Sequence, residues 1–144
     1  MKKLIWSGLI AFGLCFVLDL FFHGFVMKSA YESTAQIWRP QSEMQQHFWS
    51  MLFGQFMVGF FFSWIFAHGY KGTGWSEGLR FGVLIAAFDA GKNFIMYAVN
   101  PWELWIVASW IGIALFQGIV IGMALAWFWG KQTPAKKPGL VWAA

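Results

Sequence analysis

The hydrophobic and polar positions of the chain alternate in long blocks. Four apolar blocks, at residues 4–27, 48–68, 77–99 and 103–129, are separated by shorter polar connections. Each block has about 20 residues or more, which is the length that an α-helix needs to cross the hydrocarbon core of a bilayer. The pattern therefore predicts an all-α fold, a polytopic membrane protein. Its four transmembrane helices form a bundle within residues 1–130, and a polar cytoplasmic tail follows at 131–144.

Composition and charge point the same way. Of the 144 residues, 59% are hydrophobic and 11% are charged, whereas about a quarter of an ordinary soluble domain is charged. If both termini are cytoplasmic, most of the ten basic residues lie on that side, as the positive-inside rule requires. We therefore expect a multi-pass protein of a bacterial inner membrane, in contact with the lipid bilayer. No basic patch is interleaved with aromatic residues, so we expect no nucleic-acid partner. The basic residues on the expected cytoplasmic side are Lys2, Lys3, Lys71, Arg80, Lys131, Lys136 and Lys137.

Small residues recur at every fourth position in the last two blocks. In lipid, helices associate through small side chains that let the backbones approach closely, and through polar side chains that find partners. Residues four apart lie near one face of a helix, so these rows predict a close contact between the third and fourth helices. The predicted packing residues are Gly78, Gly82, Ala86 and Ala90 in the third block and Ala114, Gly118, Gly122 and Ala126 in the fourth.

The stretch FVLDLFFHGF, residues 16–25, places Asp19 and His23 on one face of the first predicted helix. A rise of about 1.5 Å per residue puts these two and most of the other polar residues of the blocks within about 11 Å of the bilayer centre, on the side away from the termini. A lone charge at that depth costs about 2.5–3.5 kcal/mol or more, so such groups must pair or contact water or a ligand. We therefore predict a polar pocket in the outer half of the bundle, which Arg39 and Glu43 of the long outer connection could close. Its predicted residues are Asp19, His23, Gln55, Asp89, Lys92, Asn93 and Tyr97.

A metal site is one hypothesis for this region. Asp19 with His23, and Glu43 with His47, form two carboxylate and histidine pairs at a spacing of four. Each pair can project from a helix toward one ion, and mixed oxygen and imidazole ligation suits zinc, iron or copper.

Several functions are compatible with this pattern. The first is a protein that binds a small ligand or cation in the polar pocket. The second is an accessory or structural subunit, in which the polar residues only orient the helices and the aromatic surface contacts a larger membrane complex or a second copy of the chain. The third is a small proton-coupled transporter that uses Asp19 or Asp89 as its acid. The chain contains no nucleophile triad, P-loop or dinucleotide fingerprint. An enzyme is therefore the less favoured interpretation, and the sequence assigns no catalytic role to any residue.

Three segments carry a resemblance to a known group. The segments are DLFFHG at Asp19 to Gly24, YESTAQIWRP at Tyr31 to Pro40, and SEGLRFG at Ser76 to Gly82. Together they resemble a group of small, uncharacterised four-span bacterial inner-membrane proteins. The resemblance implies a fold and a location, and it implies no activity.

Overall fold

The computed structural model describes residues 1–130, which form four long helices and three short helical segments. The tail predicted at 131–144 lies outside the described residues. Each long helix is long and apolar enough to span a membrane, and the predicted all-α, four-helix bundle is confirmed. The helix boundaries lie within about two residues of the predicted blocks when the π-helical turn at Phe22–Val26 is counted with the first helix. The long helices are α1 (Lys2–Phe21, continued by a π-helical turn at Phe22–Val26), α4 (Phe48–Gly69), α5 (Trp75–Val99) and α6 (Leu104–Trp129).

Two ends of the bundle can be distinguished. Met1, the turn at 70–74 and Gly130 lie at one end, and the long connection and the turn at 100–103 lie at the other. We call the helical segments 2–13, 59–69, 75–86 and 118–129 the terminal half. We call the segments 14–26, 48–58, 87–99 and 104–117 the loop half.

Helices α5 and α6 pack closest in the terminal half. Gly78 lies against Gly122, and Gly82 lies against Gly118, so that each helix presents its backbone to the other. A Cβ atom added at Gly118 would lie 2.6 Å from the carbonyl oxygen of Gly82, and one added at Gly82 would overlap the carbonyl oxygen of Gly118. Only glycine therefore allows this approach, which is the packing expected of small residues in lipid.

Helices α1 and α4 form a second close pair. An added Cβ at Gly59 would lie 2.6 Å from the backbone nitrogen of Phe12, so glycine is needed here on one side only. Next to this contact, the hydroxyl of Ser63 donates a hydrogen bond of 2.7 Å to the hydroxyl of Ser7, and both residues are fully buried. This pair thus combines close packing with an interhelical hydrogen bond.

Helices α4 and α5 meet mainly through aromatic rings in the terminal half. The Phe81 ring packs edge to face on Phe62 and Phe66, with ring centroids 5.1 and 5.2 Å apart. Toward the loop half, the side chains of both helices line a cleft instead. The aromatic contact therefore closes one end of the space between the two helix pairs.

The long connection is itself folded onto the loop end. It contains helix α2 (Lys28–Ser33), a 3₁₀ turn (Ala35–Ile37) and helix α3 (Gln41–Gln46). Met27, Ala30 and Thr34 are buried, and Met27 and Ala30 pack with Ile106 and Ile113 of α6. The connection is thereby attached to α6 and covers part of the loop end.

Candidate functional site

A cleft of about 430 Å³ lies between the two helix pairs, mostly in the loop half. All four long helices contribute to its wall, and most of the wall is apolar. Toward the terminal half its wall includes Phe62, Ile85 and Ile121. A mainly apolar cavity with a few convergent polar groups is the usual form of a small-molecule site.

Asp19 is the centre of the polar groups in this cleft. Its Oδ2 atom accepts a hydrogen bond of 2.8 Å from Nε2 of Gln55 on α4, and its Oδ1 atom accepts one of 2.6 Å from Nε2 of Gln117 on α6. The thiol of Cys15 lies 3.7 Å from Oδ2, one turn earlier on α1. A single carboxylate therefore ties three helices together, and all three of these partners are neutral.

His23 lies beside Asp19 but interacts more closely with the connection. Its Nε2 atom is 3.9 Å from Oδ1 of Asp19, beyond hydrogen-bond distance. Its Nδ1 atom is 2.5 Å from the hydroxyl of Tyr31, which also accepts a hydrogen bond of 2.8 Å from Nε1 of Trp110 on α6. Because Trp110 is the donor in that contact, the Tyr31 hydroxyl can donate its own proton to His23. Histidine then serves as acceptor at Nδ1 and can carry its proton on Nε2, facing Asp19.

Burial of Tyr31 supports this assignment. Burial raises the pKa of Tyr31 above its ordinary value, although the hydrogen bond from Trp110 acts in the opposite direction. The phenol therefore stays protonated at neutral pH. The Tyr31 ring also packs on Trp38, and Trp38 contacts Trp102 and Trp110, so four aromatic rings hold the connection over this side of the cleft.

Asp89 enters the cleft from α5, but its charge is already balanced. Nζ of Lys92 lies 3.0 Å from its Oδ1 atom, and Nδ2 of Asn93 donates a hydrogen bond of 2.9 Å to its Oδ2 atom. These groups all belong to one helix, so the Asp89 and Lys92 pair does not reach across the bundle. The Lys92 side chain is 63% exposed and is not part of the cleft wall.

The structure brings most of the predicted pocket residues to one cleft. Lys92 and Tyr97 are not part of its wall, and neither are Arg39 and Glu43, the residues predicted to close over it. The five predicted residues that line the cleft are Asp19, His23, Gln55, Asp89 and Asn93.

Sequence reasoning missed Gln117, Cys15, Tyr31 and Trp110. Gln117 is the one amide side chain in the fourth apolar block, a signal that the adjacent glycine row obscured. Cys15 belongs to the same four-residue row as Asp19, but a thiol in an apolar block is typically a packing residue. Tyr31 and Trp110 become neighbours only because the connection folds back onto α6.

The metal hypothesis gains no support from the geometry. Among residues 1–130, no group of three or more histidine, cysteine, aspartate or glutamate side chains is placed to hold an ion. Glu43 and His47 instead both contact the guanidinium of Arg39, at 3.9 and 3.3 Å. A cation already occupies the position between them, so the four predicted ligands, Asp19, His23, Glu43 and His47, do not converge on one point.

One polar atom of a residue in the cleft wall lacks a hydrogen-bond partner. Oε1 of Gln55 is buried without a hydrogen-bond partner among the described residues. Its orientation follows from the contact of Nε2 with the Asp19 carboxylate, which requires a donor. A buried acceptor without a partner costs about 1–3 kcal/mol. The acceptor that an occupant of the cleft can reach is the Asp19 carboxylate, whose side chain is 24% exposed.

Comparison of the chain with protein-family models, with curated proteins and with solved structures yields no match.

Proposed function

We propose that the protein binds a small, mainly apolar molecule in the cleft, and that this molecule carries a cationic or hydrogen-bond-donating group which contacts Asp19. The observation that carries the proposal is the setting of Asp19. Its carboxylate is 24% exposed within the cleft and is held by two glutamine amides, and no lysine or arginine among residues 1–130 pairs with it. An anion at membrane depth is expensive without a counter-charge.

Asp19 differs in this respect from the other acid of the cleft. Asp89 has Lys92 as its counter-ion, and so it needs no ligand. The Asp19 site lacks a fixed cation, while the amides of Gln55 and Gln117 hold its carboxylate in place. A preorganised acceptor in an apolar wall gives both orientation and affinity to an amphiphilic amine.

The test uses n-octylammonium as a probe, with uncharged 1-octanol as its neutral counterpart. The wild-type protein in mild detergent should bind octylammonium in a saturable way in equilibrium dialysis. Asp19→Asn should weaken that binding at least about tenfold, the value of a lost charge-assisted hydrogen bond, and should leave octanol binding unchanged.

The matched control is Glu32→Gln. It removes the same charge from an exposed pair with Lys28, whose charged atoms are 3.8 Å apart. Native mass spectrometry of the same preparations should also show a small molecule that is retained by the wild type and lost in Asp19→Asn. Equal octylammonium binding and equal retained masses in the wild type and in Asp19→Asn would refute the proposal.

One observation favours the accessory-subunit function as a second candidate. Lys92 and Asp89 lie on the loop half of α5, and the Lys92 side chain is 63% exposed. A partner helix or a second copy of the chain that covers this pair would remove a charged group from lipid. Under this second proposal, Lys92→Met should reduce the mass of the complex extracted in mild detergent, and octylammonium binding should not change.

We further propose that the terminal end faces the cytoplasm of a bacterial cell, with the cleft in the outer half of the inner membrane. The support is the distribution of lysine and arginine along the sequence. A cysteine-accessibility assay on intact cells tests it: Thr73→Cys should resist an impermeant thiol reagent that labels Ser33→Cys.

A further inference from the structure

A second cavity, of about 460 Å³, lies at the terminal end of the bundle between the end of α4 and the beginning of α5. Its polar side is formed by the turn at 70–74 and the first turns of α5, and its apolar side by Phe66, Phe81 and Leu84. This cavity is separate from the cleft, since the two have no lining residue in common. It therefore needs an explanation of its own.

The charges in this cavity are mainly positive. Lys71 and Arg80 line it, and neither takes part in the four ion-pair contacts of residues 1–130. The one acidic residue in the wall is Glu77. The wall thus holds two cations and one carboxylate, so positive charge exceeds negative charge by one.

Glu77 is occupied by the turn next to it. Its carboxylate accepts hydrogen bonds from the backbone nitrogen of Lys71 at 2.5 Å and from the backbone nitrogen and the hydroxyl of Thr73, both at 3.0 Å. These three bonds fix the turn before α5 and use the carboxylate oxygens locally. The carboxylate therefore acts as a structural group of the turn, and the lysine and arginine side chains remain available.

The surroundings of the cavity strengthen its positive potential. Lys2 and Lys3 lie at the same end of the bundle. The cavity itself spans the boundary between a charged turn and an apolar helix surface. A phospholipid has the same sequence of chemistry, a phosphate followed by the beginning of its acyl chains.

We infer that this cavity binds a phosphate group, with Arg80 and Lys71 as its cationic contacts, and that the headgroup of an anionic phospholipid supplies it. Arginine matches phosphate geometry with two parallel N–H donors, and lysine adds a point charge. Ser76 lines the same side of the cavity, whereas the hydroxyl of Thr73 already donates to Glu77. The apolar wall of Phe66, Phe81 and Leu84 accommodates the acyl chains, which inorganic phosphate lacks.

The experiment compares lipid retention in native mass spectrometry. The protein in mild detergent is mixed with equal amounts of phosphatidylglycerol and phosphatidylcholine, and the bound lipid is counted. The wild type should retain phosphatidylglycerol preferentially. The double variant Lys71→Gln with Arg80→Gln should lose this preference, by about fivefold for each cation removed.

The control is Lys28→Gln with Arg39→Gln, which removes the same charge from exposed residues at the loop end. Both double variants change exposed side chains, and circular dichroism checks that both stay folded. Equal loss of phosphatidylglycerol in the two double variants, or equal retention in the wild type and the Lys71 and Arg80 variant, would overturn the inference.

A third arm separates the two sources of phosphate. Inorganic phosphate is added to the wild type in place of lipid, and its binding is followed by ³¹P line broadening. Binding that depends on Arg80, together with no preference between the two lipids, would overturn the assignment to a phospholipid and place a soluble phosphate in the cavity. No binding of inorganic phosphate, with retained preference for phosphatidylglycerol, is the expected result.

Discussion

The terminal half and the loop half of the bundle solve the same packing problem in different ways. In the terminal half, α5 and α6 touch through the backbones of Gly78, Gly82, Gly118 and Gly122. In the loop half, polar side chains of different helices meet at Asp19 around a cleft of about 430 Å³. Because lipid offers no hydrophobic drive between helices, close approach of backbones dominates the packing of the terminal half, and side-chain hydrogen bonds dominate that of the loop half.

The comparison also separates stability from binding. We call the contact of Gly78 and Gly82 with Gly118 and Gly122 the glycine seam. The seam leaves no space for a ligand between the two backbones, whereas the hydrogen-bonded cleft leaves space that some molecule or water must fill. The same helix, α5, contributes Gly82 to the seam and Asp89 to the cleft. One helix can therefore anchor the bundle with one end and line a site with the other.

The largest expected effect comes from filling the glycine seam. In Gly82→Ile, even the Cβ atom would overlap the carbonyl oxygen of Gly118, so α5 and α6 must move apart. We expect a loss of about 3 kcal/mol or more in the free energy of unfolding, the upper range for overpacking. Unfolding by sodium dodecyl sulfate, followed by circular dichroism, measures it.

Gly91→Ile is the matched control on the same helix. A Cβ atom added at Gly91 meets nothing within 4 Å, so the two variants share the change in helix propensity and differ in the clash. If Gly91→Ile destabilises the protein as much as Gly82→Ile, close packing of the seam does not determine the stability of the terminal half.

The sequence pattern predicted both the glycine seam and the four spans. Spans follow from the length of apolar blocks, a property of each segment alone. The row of Gly118 and Gly122 repeats every four residues and is matched by Gly78 and Gly82, so both partners of the contact carry the same signal. Local pattern suffices where two helices meet along such rows.

The sequence predicted only some of the residues of the cleft. The face of Asp19 and the depth of Gln55 follow from helix geometry, and they lead to the right region. Gln117 lies one position away from the glycine row of α6, and periodicity alone does not say that α6 turns this residue toward α1. Tyr31 lies in a connection, where helix periodicity gives no position at all.

A smaller effect is expected when the loop half loses one hydrogen-bond centre. Tyr31→Phe removes the hydroxyl that contacts His23 at 2.5 Å and Trp110 at 2.8 Å. We expect a loss of about 1 kcal/mol in the local stability of the connection, which corresponds to amide hydrogen exchange about fivefold faster in residues 28–38. Tyr97→Phe is the control, because Tyr97 is exposed and no hydrogen bond of its hydroxyl is found within residues 1–130.

The same contact predicts a pH dependence. Burial raises the pKa of Tyr31 in the folded protein above that of the unfolded chain, so its stabilising effect is complete below the unfolded pKa and is lost as pH rises through the folded pKa. The protection of amides in residues 28–38, which is the ratio of the intrinsic to the observed exchange rate, should therefore fall only above a pH of about 10. Acceleration at neutral pH, or an identical profile in Tyr31→Phe, would show that Tyr31 does not hold the connection.

The smallest expected effect comes from the hydrogen bond of Ser63 to Ser7. Within residues 1–130, it is the one hydrogen bond between side chains of different helices in the terminal half. Ser63→Ala removes the donor, and the Ser7 hydroxyl keeps its bond of 3.0 Å to the carbonyl oxygen of Leu4. Interhelical hydrogen bonds in membrane proteins contribute about 0.6 kcal/mol on average, so we expect a change of that size in the dodecyl sulfate unfolding assay. Ser50→Ala, at an exposed position of the same helix, is the control. A loss in Ser63→Ala as large as that in Gly82→Ile would mean that hydrogen bonding, and not close approach of backbones, stabilises the terminal half, because the serine pair would then match the contribution of the entire glycine seam.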